Sequence, residues 1–217
     1  MNIALKIIII VICAPIGLML LYQIVIRIFR KIVDFPAPAI IGRFLDSDFR
    51  RRIQRPECII SRSGITEGMK VLEIGCGSGA YTTYIARSVG ENGQVFALDI
   101  QEKMLDQIKE KLKRPENTDI GNVRLINSSA YELPFKQDSL DLVYFISVFQ
   151  EIPDASRTLK EVKRVLKPNG ILAISEFLVD PDYPFRTTTV KQGRNGGFKL
   201  EGIYGNFFNY TARFRND

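Results

Sequence analysis

The chain has 217 residues, 46% hydrophobic and 25% charged, which suits one domain of ordinary size with an appendage and excludes a disordered or fibrous chain. It holds no histidine, no tryptophan and three cysteines (Cys13, Cys58 and Cys76) at no metal-ligand spacing, so the commonest general base and metal ligand are missing, no metal site is expected, and the odd thiol count fits a reducing compartment. The net charge of +6 is concentrated between Arg27 and Pro56, where eight Arg or Lys face three Asp; the remainder is close to neutral, which argues against the broad basic stripe of a nucleic-acid binder.

Residues 7–26 form an apolar run interrupted by Pro15, Gly17, Tyr22 and Gln23. As a helix it would be about 30 Å long, the thickness of a hydrocarbon core. Lys6 precedes it and Arg27, Arg30 and Lys31 follow, so a single-pass anchor with the rest of the chain on the cytoplasmic side is expected. The run is too long for the apolar core of a cleaved leader, although Ala37-Pro38-Ala39 offers a small-residue pattern. Residues 1–34 are therefore read as anchor and basic flank. Phe35-Pro36-Ala37-Pro38 breaks the helix. Residues 35–64 read as a juxtamembrane segment. In it Ile40, Ile41, Phe44, Leu45, Phe49 and Ile53 recur at helical spacing among Arg43, Arg50, Arg51 and Arg52, a basic amphipathic helix that would lie on an anionic bilayer or cover the domain. A second short helix spans Glu57 to Ile65.

From residue 65 onward the pattern is that of an α/β domain. Val71, Leu72 and Ile74 make a short buried strand, followed at once by Gly75, Gly77 and Gly79 and then by a helix expected over Ala80 to Val89. A strand, a glycine-rich turn and a helix start make a nucleotide-binding turn: glycine permits positive φ and close approach, and the helix start presents free N–H groups. A second strand runs from Gln94 to Asp99, whose carboxylate can accept from both hydroxyls of a ribose. Gln101 to Leu112 reads as a surface helix with Met104, Leu105, Ile108 and Leu112 inward, Val123 to Asn127 as strand three and Leu140 to Ile146 as strand four. Asp154 caps a helix running to about Leu166, stopped by Lys167-Pro168-Asn169-Gly170. Ile171 to Ile174 is strand five, ending in Ser175, Glu176 and Phe177. Asp180 to Tyr183 reads as a loop, and Phe198 to Ile203 with Phe207 to Phe214 as a closing hairpin.

Gly75, Gly77 and Ala80 also match the G-x-G-x-x-G/A spacing of NAD and FAD sites, so the glycines alone do not name a ligand. Glu73 ahead of them and Gly79 complete E-x-G-x-G-x-G. With Asp99, Leu133-Pro134-Phe135 and Leu166-Lys167-Pro168-Asn169-Gly170, this resembles the class I S-adenosylmethionine-dependent methyltransferases, in particular the branch that includes ubiquinone and menaquinone methyltransferases. The resemblance covers about Ile65 to Phe214. It implies a doubly wound, mostly parallel seven-stranded sheet over residues 65–217 with one antiparallel strand. It also implies S-adenosylmethionine as cofactor, held by Glu73, Gly75, Cys76, Gly77, Ser78, Gly79, Asp99, Ile100, Ser129, Ala130 and Ser147. Ser129 stands where the family carries Asp against the adenine, and a hydroxyl accepts more weakly than a carboxylate. Gln150-Glu151 stands where many relatives carry His-His, leaving Gln150 to orient an acceptor and Glu151 or Glu176 as candidate bases. Ser147-Val148-Phe149-Gln150 lacks the Asn/Asp-Pro-Pro-aromatic motif of nucleic-acid amino methyltransferases. The expected reaction is methyl transfer to a small, lipid-soluble acceptor, quinone-like or isoprenoid, or a phospholipid amine. The replaced Asp and His also leave open a non-catalytic cofactor-binding subunit of a membrane complex.

Overall fold

A computed structural model describes residues 47–180 and 182–217, with isolated positions between Asn2 and Val25. The chain divides into two compact units, Met1–Phe35 and Pro36–Asp217. In the first, the described positions between Val11 and Val25 are helical, and Val11, Leu18, Leu21, Ile24 and Val25 are all more than half exposed. The expected span over residues 7–26 falls mostly outside the described residues; among those described, no helix is long and apolar enough to cross a membrane.

In the second unit the described chain begins with α1 (Asp48–Ile53), capped by Ser47, whose hydroxyl accepts from the Arg50 N–H. Ser47 is extended, so a helix running unbroken from Ile40 to Ile53 does not form, and Ile53, read on the apolar face of that helix, is 46% exposed. The first half of that helix, residues 40–46, lies outside the described residues. Helix α2 (Pro56–Ser63) has proline at its first position and Gly64 in the left-handed conformation at its end, two local signals that fix its length.

The domain proper alternates β1 (Lys70–Ile74), α3 (Thr82–Val89), β2 (Gln94–Asp99), α4 (Glu102–Leu112), β3 (Val123–Asn127), β4 (Leu140–Ile146), α5 (Ala155–Val165) and β5 (Leu166–Phe177). It then continues with α6 (Arg186–Asn195), β6 (Phe198–Gly205) and β7 (Asn209–Asn216). The seven strands lie in the order β3-β2-β1-β4-β5-β7-β6, and only β7 runs antiparallel to its neighbours. The order reverses between β1 and β4, so a crevice opens beyond the carboxyl ends of these strands, where ligands bind in doubly wound sheets. Apolar side chains alternate between two cores. Leu72, Ile74, Val143, Phe145, Leu172 and Ile174 face the side of α5, while Val71, Val95, Leu142, Tyr144 and Ala173 face α2 and α3.

Three local readings change. Helix α3 starts at Thr82 and not at Ala80, because Ala80 and Tyr81 still belong to the turn; its buried face is Thr82, Ile85, Ala86 and Val89, with Tyr84 half-buried. Lys167–Gly170 is not a free turn but a bulge within β5: Leu140 pairs Leu166, Leu142 pairs Ile171, and Asn169 takes φ +61°. Between the loop at Asp180 to Tyr183 and the hairpin from Phe198, where no element was expected, the chain forms α6. Its inward positions are Thr189 and Gly193, so it shows no apolar stripe. A methyl group at Gly193 would come within 2.5 Å of the Phe214 ring. Gly193→Ala is expected to lower the thermal midpoint, by an amount equivalent to about 2 kcal/mol of overpacking, in a melt of the purified protein.

Candidate active site

The site is built at the carboxyl edge of the sheet. Leu98 O accepts from Gly75 N–H at 2.8 Å and from Cys76 N–H at 3.1 Å, pinning the glycine turn across β2. Gly75, Gly77 and Gly79 all have positive φ, but for different reasons. A Cβ at Gly75 would stand 2.4 Å from Val148 and one at Gly79 2.9 Å from Ile108, so both are packed from below; a Cβ at Gly77 would meet nothing within 4 Å. That open cradle, with the turn's backbone around it, is what a ligand pressed against the turn requires. Cys76 and Ser78 are buried in the turn, and burial raises the Cys76 thiol pKa far above its ordinary value. The Cys76 thiol is a small packing group against Ala97, Leu105 and Ile108.

Asp99 ends β2. Its two oxygens accept from Gly77 N–H at 2.9 Å and Gln101 N–H at 2.8 Å. Burial raises its pKa, and the N–H groups of Gln101, Gly77 and Ile100 oppose that rise. The carboxylate thus joins two loops and keeps acceptor capacity on both oxygens. Ile100, next in sequence, is 64% exposed, an apolar surface at the mouth of the crevice. Asn127 donates from its amide to Asp99 O and Ile100 O at 3.0 and 3.1 Å, holding this corner against β3. Beyond β3, Ser129 accepts from Tyr131 N–H at 3.2 Å; Ser129 and the neighbouring Ala130 are half-buried.

Glu73 lies beneath the turn, 3% exposed, and accepts a 2.6 Å hydrogen bond from the Thr82 hydroxyl at the start of α3. Its cross-strand neighbour is Tyr144. Burial raises its pKa to about 7, against the opposing effects of Thr82, Tyr144 and Lys111. Lys111, on the face of α4 read as solvated, is instead buried, and its ammonium donates to Gly79 O at 2.7 Å. Lys111 and Thr82 were not singled out from sequence. The signal for Thr82 was its hydroxyl one helical start away from Glu73; for Lys111, one position beside the Ile108–Leu112 stripe, there was none.

Two further elements close the edge. Gln54, at the end of α1, is fully buried and accepts from the Tyr81 hydroxyl at 2.8 Å; burial raises that phenol's pKa to about 12. Arg50 pairs with Asp180 at 3.2 Å and lies over the Phe177 ring. Helix α1 therefore bridges the glycine turn and the segment that leaves β5. Ser147 follows β4 with φ +55°, and its N–H donates to Ser175 O at 2.8 Å, while its hydroxyl is buried without a hydrogen-bond partner. Gln150 and Gln192 exchange amide hydrogen bonds of 3.1 and 3.4 Å, joining the turn after β4 to α6. Glu151 is half-buried in the same turn, and Glu176 is 2% exposed at the end of β5. The cofactor residues expected from sequence therefore gather along one edge. Of the three acceptor-side candidates, Gln150 and Glu176 face each other closely enough to interact. Among the described residues no group of three or more metal-ligating side chains is present.

A seven-stranded sheet with this order, a glycine cradle at its reversal point and an acid at the end of β2 define a class I methyltransferase. A family model described as "Methyltransferase domain" matches residues 65–203, and the chain belongs to that family. It is 37% identical over 118 residues to a demethylmenaquinone methyltransferase of Staphylococcus aureus, covering 54% of this chain and 47% of the relative. To the demethylmenaquinone methyltransferase of Geobacillus kaustophilus it is 34% identical over 138 residues, covering 64% and 58%. The chain thus spans about half the length of the curated relatives it matches. A SAM-dependent methyltransferase from Aquifex aeolicus superposes with a TM-score of 0.76 at 24% identity, over 84% of this chain and all of that one. S-adenosylmethionine as the cofactor follows from the family and the fold together.

Proposed function

We propose that the protein transfers a methyl group from S-adenosylmethionine to a small lipid-soluble ring acceptor, a reduced quinone in the first instance, at a membrane surface. One observation carries the acceptor class. The carboxyl edge bears an exposed aromatic surface, with Phe185 66%, Phe207 50%, Phe208 61% and Val179 47% exposed. Arg62 and Arg186 reach the carbonyls of Asn209 and Gly205 beside it. Apolar area of this kind at the mouth of a site favours an apolar acceptor. The names of the relatives support a quinone ring. The apolar run of residues 7–26 and the exposed helical positions within it support a single-pass anchor, with the basic flank on the cytoplasmic side.

When bound, S-adenosylmethionine supplies an electrophilic methyl on a sulfonium. The protein's part is alignment: the Gly75–Gly79 cradle and Glu73 seat the methionine end, Asp99 accepts from the ribose, and Ile100, Ser129 and Ala130 border the adenine. No metal is needed for such a displacement.

The test uses the full chain, labelled S-adenosylmethionine and vesicles containing a reduced demethylmenaquinone. Label transferred to the ring is expected. Label found only in phosphatidylethanolamine would replace the ring acceptor with a lipid amine, and cofactor binding without transfer to any acceptor would favour a non-catalytic subunit. Deleting residues 1–34 is expected to release the protein from sedimented membranes and to slow transfer to vesicle-borne acceptor at least tenfold; unchanged transfer would remove the anchor from the proposal.

A further inference from the structure

Glu176 is not explained by packing. It is 2% exposed, one of its carboxylate oxygens is buried with no hydrogen-bond partner, and the charged groups that act on it are carboxylates, Asp180 and Glu151. Arg50, over the adjacent Phe177 ring, is paired with Asp180. Buried carboxylates kept for structure have donors or a counter-charge. Here the remaining help is the Gln150 amide, itself held by Gln192. On the neighbouring strand Glu176 stands opposite Tyr210, whose hydroxyl is engaged by Thr189 at 2.8 Å and Pro184 O at 3.2 Å and whose ring carries Arg186.

A packed cluster of rings joins the surface to the strand position opposite this carboxyl. Phe208 touches Phe207 at a centroid separation of 5.7 Å, Phe207 touches Tyr183 at 6.0 Å, and Tyr183 touches Tyr210 at 5.7 Å. The outer two rings are at least half exposed, while Tyr183 and Tyr210 are buried. An exposed apolar surface continuous with the packing beside a carboxyl that keeps one oxygen without a hydrogen-bond partner suits an aromatic ligand with one weakly acidic hydroxyl.

We infer that Glu176 is the catalytic residue that binds the acceptor's ring hydroxyl and takes its proton, with Gln150 as a positioning residue. This rests on the ring-acceptor reading above. The hydroxyl proton passes to the Glu176 carboxylate and the oxygen's electron pair flows into the ring. A ring carbon then forms its bond to the methyl as the sulfur–methyl bond breaks, and its electrons remain on sulfur. The carbon's own proton leaves to water, the oxygen recovers its proton from Glu176, and the demethylated cofactor departs neutral. Burial and the two carboxylates hold Glu176 well above the usual carboxylate range, so its carboxylate form is a stronger base than an ordinary one and activity rises with pH as the group ionises.

Two assays on the full chain test this. In the first, methylation of a short-chain reduced demethylmenaquinone is followed from pH 6 to 9. Glu176→Gln is expected to lower the rate at least 100-fold and abolish the rising limb, with cofactor affinity within twofold of the parent. Asp180→Asn, which removes a like charge, is expected to move the limb to lower pH. A rate within threefold of the parent, or a limb that Asp180→Asn leaves in place, would overturn the assignment. The second needs no turnover: the parent is expected to bind 1-naphthol at least tenfold more tightly than 1-methoxynaphthalene, a preference lost in Glu176→Gln. Equal binding of the two by the parent would overturn it as well. Failure of every hydroquinone as substrate, with the naphthol preference intact, would instead count against the ring-methylation reading and leave Glu176 as a hydroxyl-binding group.

Discussion

Asp99→Ala is expected to weaken S-adenosylmethionine binding about 100-fold in a calorimetric titration, with little change in far-ultraviolet dichroism. The carboxylate has two tasks: it accepts from Gly77 N–H and Gln101 N–H, and it offers its remaining lone pairs to the crevice. Hydrogen bonds to a charged acceptor contribute about 1.5–3 kcal/mol each, so loss of two ligand hydroxyls alone accounts for the factor. Asp99→Asn keeps one acceptor oxygen and is expected to cost about tenfold. An affinity in Asp99→Ala within threefold of the parent would show that the ribose is held elsewhere.

The second large effect concerns stability and pH. Glu73 binds its proton more tightly in the fold, at a pKa of about 7, than in the unfolded chain, at 4.5. Below pH 4.5 the group is protonated in both states and contributes no penalty. Between 4.5 and 7 the unfolded chain releases the proton first, so stability falls as pH rises, by about 3 kcal/mol in all, and levels off above 7. Glu73→Gln keeps an acceptor for Thr82 and removes the titration. Its thermal midpoint is expected to match the parent near pH 4.5 and to exceed it by several degrees at pH 8. A difference between variant and parent that does not change across this range would mean that Glu73 stays ionised, neutralised by Lys111 beneath the turn. The cofactor affinity of the same variant reports separately on the methionine end of the site.

These two residues show what the sequence could reveal. Glu73 and Asp99 sit at the ends of short apolar strands, and the glycines between them force a turn whatever else surrounds it. Strands β2, β3 and β4 fall where their β-branched and aromatic runs place them; in β2 and β4 those runs are largely buried, whereas β3 is the half-exposed edge of the sheet. Helix α6 was missed for the opposite reason: Thr189 and Gly193 face inward, and a helix packed through small and hydroxylated side chains leaves no periodic apolar trace. Lys111 was not singled out because its burial depends on a carbonyl 32 residues away. The ring cluster opposite Glu176 depends on register between β5 and β7 and on which turn of the chain rests on which; neither is written in local spacing. Glu176 was visible as a candidate, but the two carboxylates that act on it were not.

The bridge made by α1 has a consequence for the order of synthesis. Arg50 closes onto Asp180, its partner 130 residues later, and Gln54 onto Tyr81. A six-residue helix does not persist alone in water, so α1 has nothing to hold it when it leaves the ribosome. At about 5–20 residues per second, roughly 6 to 26 seconds pass before Asp180 exists to receive it. Helix α1 is therefore made well before the later of its two partners, and its bridge closes only once both exist.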